Sequence, residues 1–176
     1  AIFLSRHPKP VAGSVITVVR EGSRPLLVEV QALVDEAQGM NPRRVAVGFE
    51  SSRLALLLAV LHRHGGVSTA GSDVFVNVVG GVRIGEVSAD LPAVLATLSS
   101  LRDKPLASDT VVFGEIGLTG EIRPVAFGEE RLREAAKQGF RHALVPRDNV
   151  PRRAVEGLEV RGIARLAEAV ETVTRP

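Results

Sequence analysis

Cysteine, tryptophan and tyrosine are absent from this 176-residue sequence, and methionine occurs once. Without thiols there is no disulfide framework and no thiolate metal site, and four scattered histidines argue against a structural zinc. The fold must therefore hold by packing alone. No apolar run approaches the ~20 residues that a membrane-crossing helix needs, the richest being Leu54 to Leu61. The opening residues Ala1-Ile2-Phe3-Leu4 lack the charged, apolar and small-residue layout of a signal peptide. A cytoplasmic location is the resulting expectation. The chain also starts without methionine, as expected of a processed chain or a piece of a longer protein.

Lysine is scarce as well: Lys9, Lys104 and Lys137 are the only three, so arginine supplies the other 19 of the 22 basic residues. Arginine suits bidentate phosphate contacts, although an arginine-rich coding bias gives the same picture. The sequence pI of 9.6 overstates a net charge of only +2, because no tyrosine or cysteine buffers the basic side. Charge alone does not announce a nucleic-acid binder.

Several motifs are missing too. There is no Gly-Lys-Ser or Gly-Lys-Thr, hence no P-loop for ATP. The glycines of Gly114-Glu115-Ile116-Gly117-Leu118-Thr119-Gly120 recur every three residues, which fits a hairpin turn and not a dinucleotide fingerprint. No His-Glu-x-x-His occurs, and His62 and His64 read as polar residues closing a helix near its negative end.

What is present is an ordinary globular composition, 45% hydrophobic and 24% charged, long enough for one self-sufficient core. Ser14–Val19 and Leu26–Leu33 read as strands joined by the turn at Glu21–Pro25, and Val45–Phe49 as a third strand. Ser51 or Ser52 is placed to cap a helix through Leu61 whose nearly continuous apolar run predicts burial on more than one face. Asp73–Val79 has the character of a central strand, and Ala89–Leu101 of a helix capped by Ser88 or Asp90. Thr110–Glu115 and Glu121–Val125 predict a second hairpin, followed by a helix over Glu129–Gln138 and a strand over Phe140–Val145. A brief strand at Leu158–Val160 and a closing helix over Ala164–Val173 complete the chain. The class is α+β, or mixed α/β, in one domain: an N-terminal arm over residues 1–12, then the domain proper over 13–176.

From Asp73 to Asn149 the order of strand, glycine loop, helix, hairpin, helix, strand and Val-Pro-x-x-Asn resembles the proteolytic domain of Lon proteases. The finer wording resembles the Lon-like domain of the RadA family of bacterial DNA-repair proteins. Phe75-Val76-Asn77-Val78-Val79-Gly80-Gly81-Val82, Ser99-Ser100-Leu101-Arg102-Asp103-Lys104-Pro105 and Val112-Phe113-Gly114-Glu115 carry it, with Pro25–Val34, Asn41–Gly48 and Leu58–Gly66. The resemblance implies a β-hairpin and mixed-sheet fold of Lon type. Lon-type peptidases pair a serine nucleophile with a lysine base. Matching their Pro-Ser-Ala-Gly onto Val87-Ser88-Ala89-Asp90 puts Ser88 at the nucleophile, and counting back from Ala135-Ala136 and Gly139 puts Glu129 at the lysine. A carboxylate there opposes the developing oxyanion, so the expectation is a scaffold without peptidase activity, Ser88 being a helix cap. The alternative is an active peptidase using Ser88.

The same resemblance implies a parent that is a hexameric, DNA-dependent ATPase processing recombination intermediates by branch migration, with partners such as RecA. Its ATP, magnesium and zinc sites belong to parts preceding this chain; the chain itself is expected to hold no cofactor or metal. Phosphate contacts need exposed cations free of internal partners. Arg43 and Arg44, after a proline turn, and Arg63, Arg102 and Lys104, at two helix ends, are the candidates for DNA, with Arg152-Arg153 weaker. Dipole compensation at helix ends is the competing reading of Arg63 and Arg102. Arg131, Arg133 and Lys137 alternate with Glu129, Glu130 and Glu134 as a solvated ion-pair face would. With no Trp or Tyr for stacking, binding is expected to be sequence-independent.

Overall fold

A computed structural model describes residues 2–3 and 9–173. Half of the arm expected over residues 1–12 lies outside them. The described chain folds as β1 (Ile2–Phe3), β2 (Ser14–Glu21), β3 (Arg24–Glu36), β4 (Arg44–Val47), α1 (Ser51–Gly65), β5 (Ser72–Val78), α2 (Asp90–Arg102), β6 (Thr110–Val112), β7 (Glu115–Ile116), β8 (Ile122–Arg123), α3 (Gly128–Lys137), β9 (His142–Pro146), β10 (Glu159–Ile163) and α4 (Leu166–Glu171). The class is mixed α/β.

One eight-stranded sheet runs β10-β9-β6-β2-β3-β5-β4, with β1 added alongside β3. β3 is its organiser. Its first half pairs antiparallel with β2, from Arg24 against Glu21 to Gln31 against Ser14, and its second half with β5, from Val30 against Val78 to Glu36 against Ser72. β4, β6, β9 and β10 join in parallel, and β6 meets β2 through the single pair Ile16 and Val111. The hairpin expected over 110–125 is divided: β6 belongs to the main sheet, and only β7 and β8 form the turn-linked pair. The positive φ of Gly114 separates the two pieces, so the chain leaves the main sheet before it turns.

Alternation in the strands builds a core on each face of the sheet. Val15, Val19, Val28, Val30, Val74 and Val76 pack beneath α1, α2 and α4, whereas Val18, Leu27, Val111, Phe113, Ala143 and Val145 pack with Leu132 and Ala135 of α3. α2 is buried from Asp90 to Ser99, as its apolar sequence requires. α1 differs from expectation: Leu54, Leu57, Leu58 and Leu61 form one inward stripe with Val60 beside it, while Ala55, Leu56 and Ala59 face outward. Its long apolar run reflects two alanines and the exposed Leu56 on the open face, not a second buried one. No helix among the described residues is long and apolar enough to cross a membrane.

Candidate functional site

Ser88 sits in a short 3-10 turn, Val87–Ala89, immediately ahead of α2, and is 1% exposed. It does not cap that helix. Ala89 holds the cap position without a side-chain bond, and the Ser88 hydroxyl instead donates to Glu86 Oε1. Asp90, the other expected cap, is one residue inside the helix, where it accepts from the Arg53 guanidinium and from the Ile116 N–H at 3.0 Å. Burial pushes the Asp90 carboxyl up, against the pull of those two partners. The caps expected of α1 fail similarly: Ser51 Oγ accepts from the Ala46 N–H, Ser52 donates to Glu50, and Glu50 occupies the cap position.

The residue of α3 that meets Ser88 is Arg131, not Glu129. Arg131 is 4% exposed, and its Nη1 lies 2.6 Å from Glu86 Oε1, 3.4 Å from Ser88 Oγ and 2.7 Å from the Val18 carbonyl. Its Nε donates to the Ala126 carbonyl at 3.0 Å. The Arg20 N–H donates to the other Glu86 oxygen, so one carboxylate gathers a serine hydroxyl, a guanidinium and a strand N–H. Glu129 is at the surface, paired to Arg133 at 3.2 Å one helical turn away. The correction is one of helical phase: on α3 the inward residues are Gly128, Arg131, Leu132 and Ala135, so position 129 cannot face the serine. The expected ion-pair face survives at Glu129 and Arg133 only. A buried arginine among acidic neighbours looks in sequence like any i,i+4 pair, and nothing but the apolar phase of Leu132 and Ala135 marks it as inward.

The turn entering α3 is shaped by Phe127, which adopts φ 60° as the cap residue and is 53% exposed. The Arg20 guanidinium lies 3.5 Å from the centroid of its ring and 3.9 Å from Glu130. Beside Ser88, a shallow cleft of about 110 Å³ is lined by Phe49, Glu50, Arg53, Ile84, Glu86 and Asp90, so carboxylates outnumber cations on its walls.

The cations proposed for phosphate contact are scattered, and two of the five leading ones, Arg43 and Arg44, are occupied. Arg43 lies 3.5 Å from Asp73 and 5.1 Å from the Phe75 ring centroid. Arg44 is half-buried and donates to the carbonyls of Ser72 and Thr69, tying β4 to the loop before β5. Arg63 is exposed and makes no ion pair among the described residues. Arg102 and Lys104 are half-buried, and one terminal nitrogen of Arg102 is buried without an acceptor among the described residues. Arg152 and Arg153 are exposed. No group of three or more His, Asp or Glu side chains among the described residues could hold a metal ion.

Residues 45–149 match a family described as "Subunit ChlI of Mg-chelatase". The chain is also similar to proteins named DNA repair protein RadA: 62% identical over 97% of this chain to that of Escherichia coli, 55% over 98% to that of Pseudomonas aeruginosa, and 42% over 97% to that of Bacillus subtilis. It spans 37–38% of the length of these three relatives.

Proposed function

This chain belongs to the family described as subunit ChlI of Mg-chelatase, and from that membership and its likeness to RadA we infer that it is a peptidase-shaped module that does not cleave peptides. It serves a DNA-repair protein as a scaffold and a DNA-facing surface. The observation that carries this reading is the environment of Ser88. Serine attack needs a base that can accept its proton, and guanidinium groups are not deprotonated in proteins. Arg131 stands within 3.4 Å of Ser88 Oγ, and the remaining neighbour, Glu86, holds the hydroxyl and adds negative charge where the oxyanion would form. On this reading the fold is of Lon type.

The parent protein is, on this reading, a DNA-dependent ATPase that assembles as a ring, most simply a hexamer, and acts on recombination intermediates alongside recombination proteins such as RecA. ATP, magnesium and zinc would be held outside this chain, which carries no Gly-Lys-Ser or Gly-Lys-Thr. The module would support assembly and guide DNA by phosphate contacts. Of the five leading candidates Arg63 suits that role best, being exposed and without an internal partner.

Two experiments test the two halves. Casein and peptide hydrolysis should be undetectable in the wild type and unchanged in Ser88→Ala; hydrolysis abolished by that substitution would establish a peptidase. Binding of a DNA oligonucleotide by the full protein, titrated with salt, should weaken in Arg63→Ala, with the slope of log K against log salt falling by ~0.9 for each phosphate no longer neutralised. An unchanged slope removes Arg63 from the DNA surface.

A further inference from the structure

The two ends of the main sheet are finished differently. At the β4 edge the chain closes itself: the Ala46 N–H is taken by Ser51 Oγ, and the Arg44 guanidinium folds back onto Ser72 and Thr69. At the other end β10 pairs with β9 alone. In a parallel ladder alternate residues turn both backbone groups to the same neighbour. The Glu159 N–H donates to the Arg141 carbonyl at 2.8 Å, so Glu159, Arg161 and Ile163 face β9. Val160 and Gly162 therefore present their N–H and C=O groups outward, and no described residue takes them.

Two further features surround this edge. Arg141, Arg147, Arg152, Arg153 and Arg161 are all exposed, and none forms an ion pair or side-chain hydrogen bond among the described residues. By contrast, Arg20, Arg43, Arg53, Arg123, Arg131 and Arg133 are all in ion pairs. Gly162 holds the Arg147 turn close, since a Cβ at 162 would lie 2.9 Å from Arg147 Cα and 2.6 Å from a Val150 methyl. On the opposite side of β10 a groove of about 330 Å³ has an apolar floor that includes Leu106 and Leu144, with His142, Glu159 and Arg161 along it.

We propose that the β10 edge is a docking site for an extended acidic peptide segment of a partner protein, added to the sheet as a further strand beyond β10. The outward backbone groups of Val160 and Gly162 supply the ladder, the side chains of Glu159 and Arg161 at the rim of the groove stand beside alternate residues of the added strand, and the arginines select carboxylates. A second copy of this chain would bring its own exposed arginines to the edge, whereas an acidic strand brings the opposite charge. Nucleic acid uses the cations alone and makes no use of the outward N–H and C=O groups of Val160 and Gly162.

The test uses the 176-residue chain and a fluorescein-labelled peptide of five Val-Glu repeats, with five Val-Lys repeats as control. Fluorescence anisotropy should show salt-sensitive binding of the acidic peptide only. Val160→Pro removes an outward N–H without touching the β9 ladder, so the chain should stay folded and lose affinity by ~10-fold or more. The double change Arg152→Glu with Arg153→Glu should lose as much and flatten the salt dependence. Amide exchange of Val160 and Gly162 in the wild type should slow on adding the peptide, whatever the fate of the proline variant. Unaltered exchange at both amides overturns the proposal, as does full peptide affinity in a folded Val160→Pro. So does displacement of the peptide by a DNA oligonucleotide that binds Val160→Pro as well as wild type, which would assign the arginines to nucleic acid.

Discussion

Four hydrogen bonds leave the Arg131 guanidinium, reaching Glu86, Ser88 and the carbonyls of Val18 and Ala126. Removing a buried charge of this kind strands its partner, at a typical cost of about 3–5 kcal/mol when both are fully buried. Glu86 keeps 27% exposure, so Arg131→Ala should cost about 3 kcal/mol in urea unfolding. Glu129→Ala should stay within about 0.5 kcal/mol, because an exposed i,i+4 pair contributes little. Equal effects at the two positions would contradict the inward phase of Arg131. The pair also marks the limit of what the sequence discloses. The motif Val87–Asp90 leads to Ser88 through its immediate neighbours, whereas the α3 side chain beside it has to be counted along the helix from Ala135-Ala136. An error of two residues on a helix turns a side chain by about 200°.

Element by element, periodicity foretold more. The β2–β3 hairpin, α1, β5, α2, α3 and β9 all stand where alternation or helical spacing placed them, within a few residues. The caps did not, because serine and aspartate side chains have many possible acceptors and donors, and tertiary neighbours outbid the local ones. Asp73 shows how far such a choice reaches. From β5 it accepts the Arg43 N–H at 2.7 Å and the Gln38 N–H at 3.4 Å, and so fastens both ends of the 38–43 loop. The Arg43 N–H bond above all holds its carboxyl below the ordinary value, with burial opposing. A lowered carboxylate contributes stability above the unfolded value of about 4, and loses it as pH falls through the native one. Asp73→Asn should therefore be less stable than wild type at neutral pH, and the gap in melting temperature should close as the solution is taken below about pH 4. A gap that stays constant would place the effect in packing, not in charge.

At the level of the whole molecule, the two faces of the sheet carry unequal cores. The face under α1, α2 and α4 holds most of the apolar side chains, and α3 alone covers a smaller set centred on Phe113 and Leu132. That division was not legible in sequence: alternation reveals which residues point together, but not which helix comes to cover them.

The narrow join between β2 and β6, a single bridging pair at Ile16 and Val111, has a consequence for how the molecule opens. On one side lie β2 to β5 with α1 and α2; on the other lie β6, β9, β10 and α3. Elements that share few backbone bonds tend to open as separate cooperative units. Native-state hydrogen exchange should accordingly resolve two classes of slow amide, one on each side of the join. Arg131 bridges them by reaching from α3 to the Val18 carbonyl. Its loss should release the amides of β6, β9 and β10 in a partial opening while those of β3 and β5 still report the global one. The cluster around Ser88 then persists for a mechanical reason, as a polar clasp added to the apolar packing of Val18 and Leu27 against Phe113 and Leu132 that already spans the join.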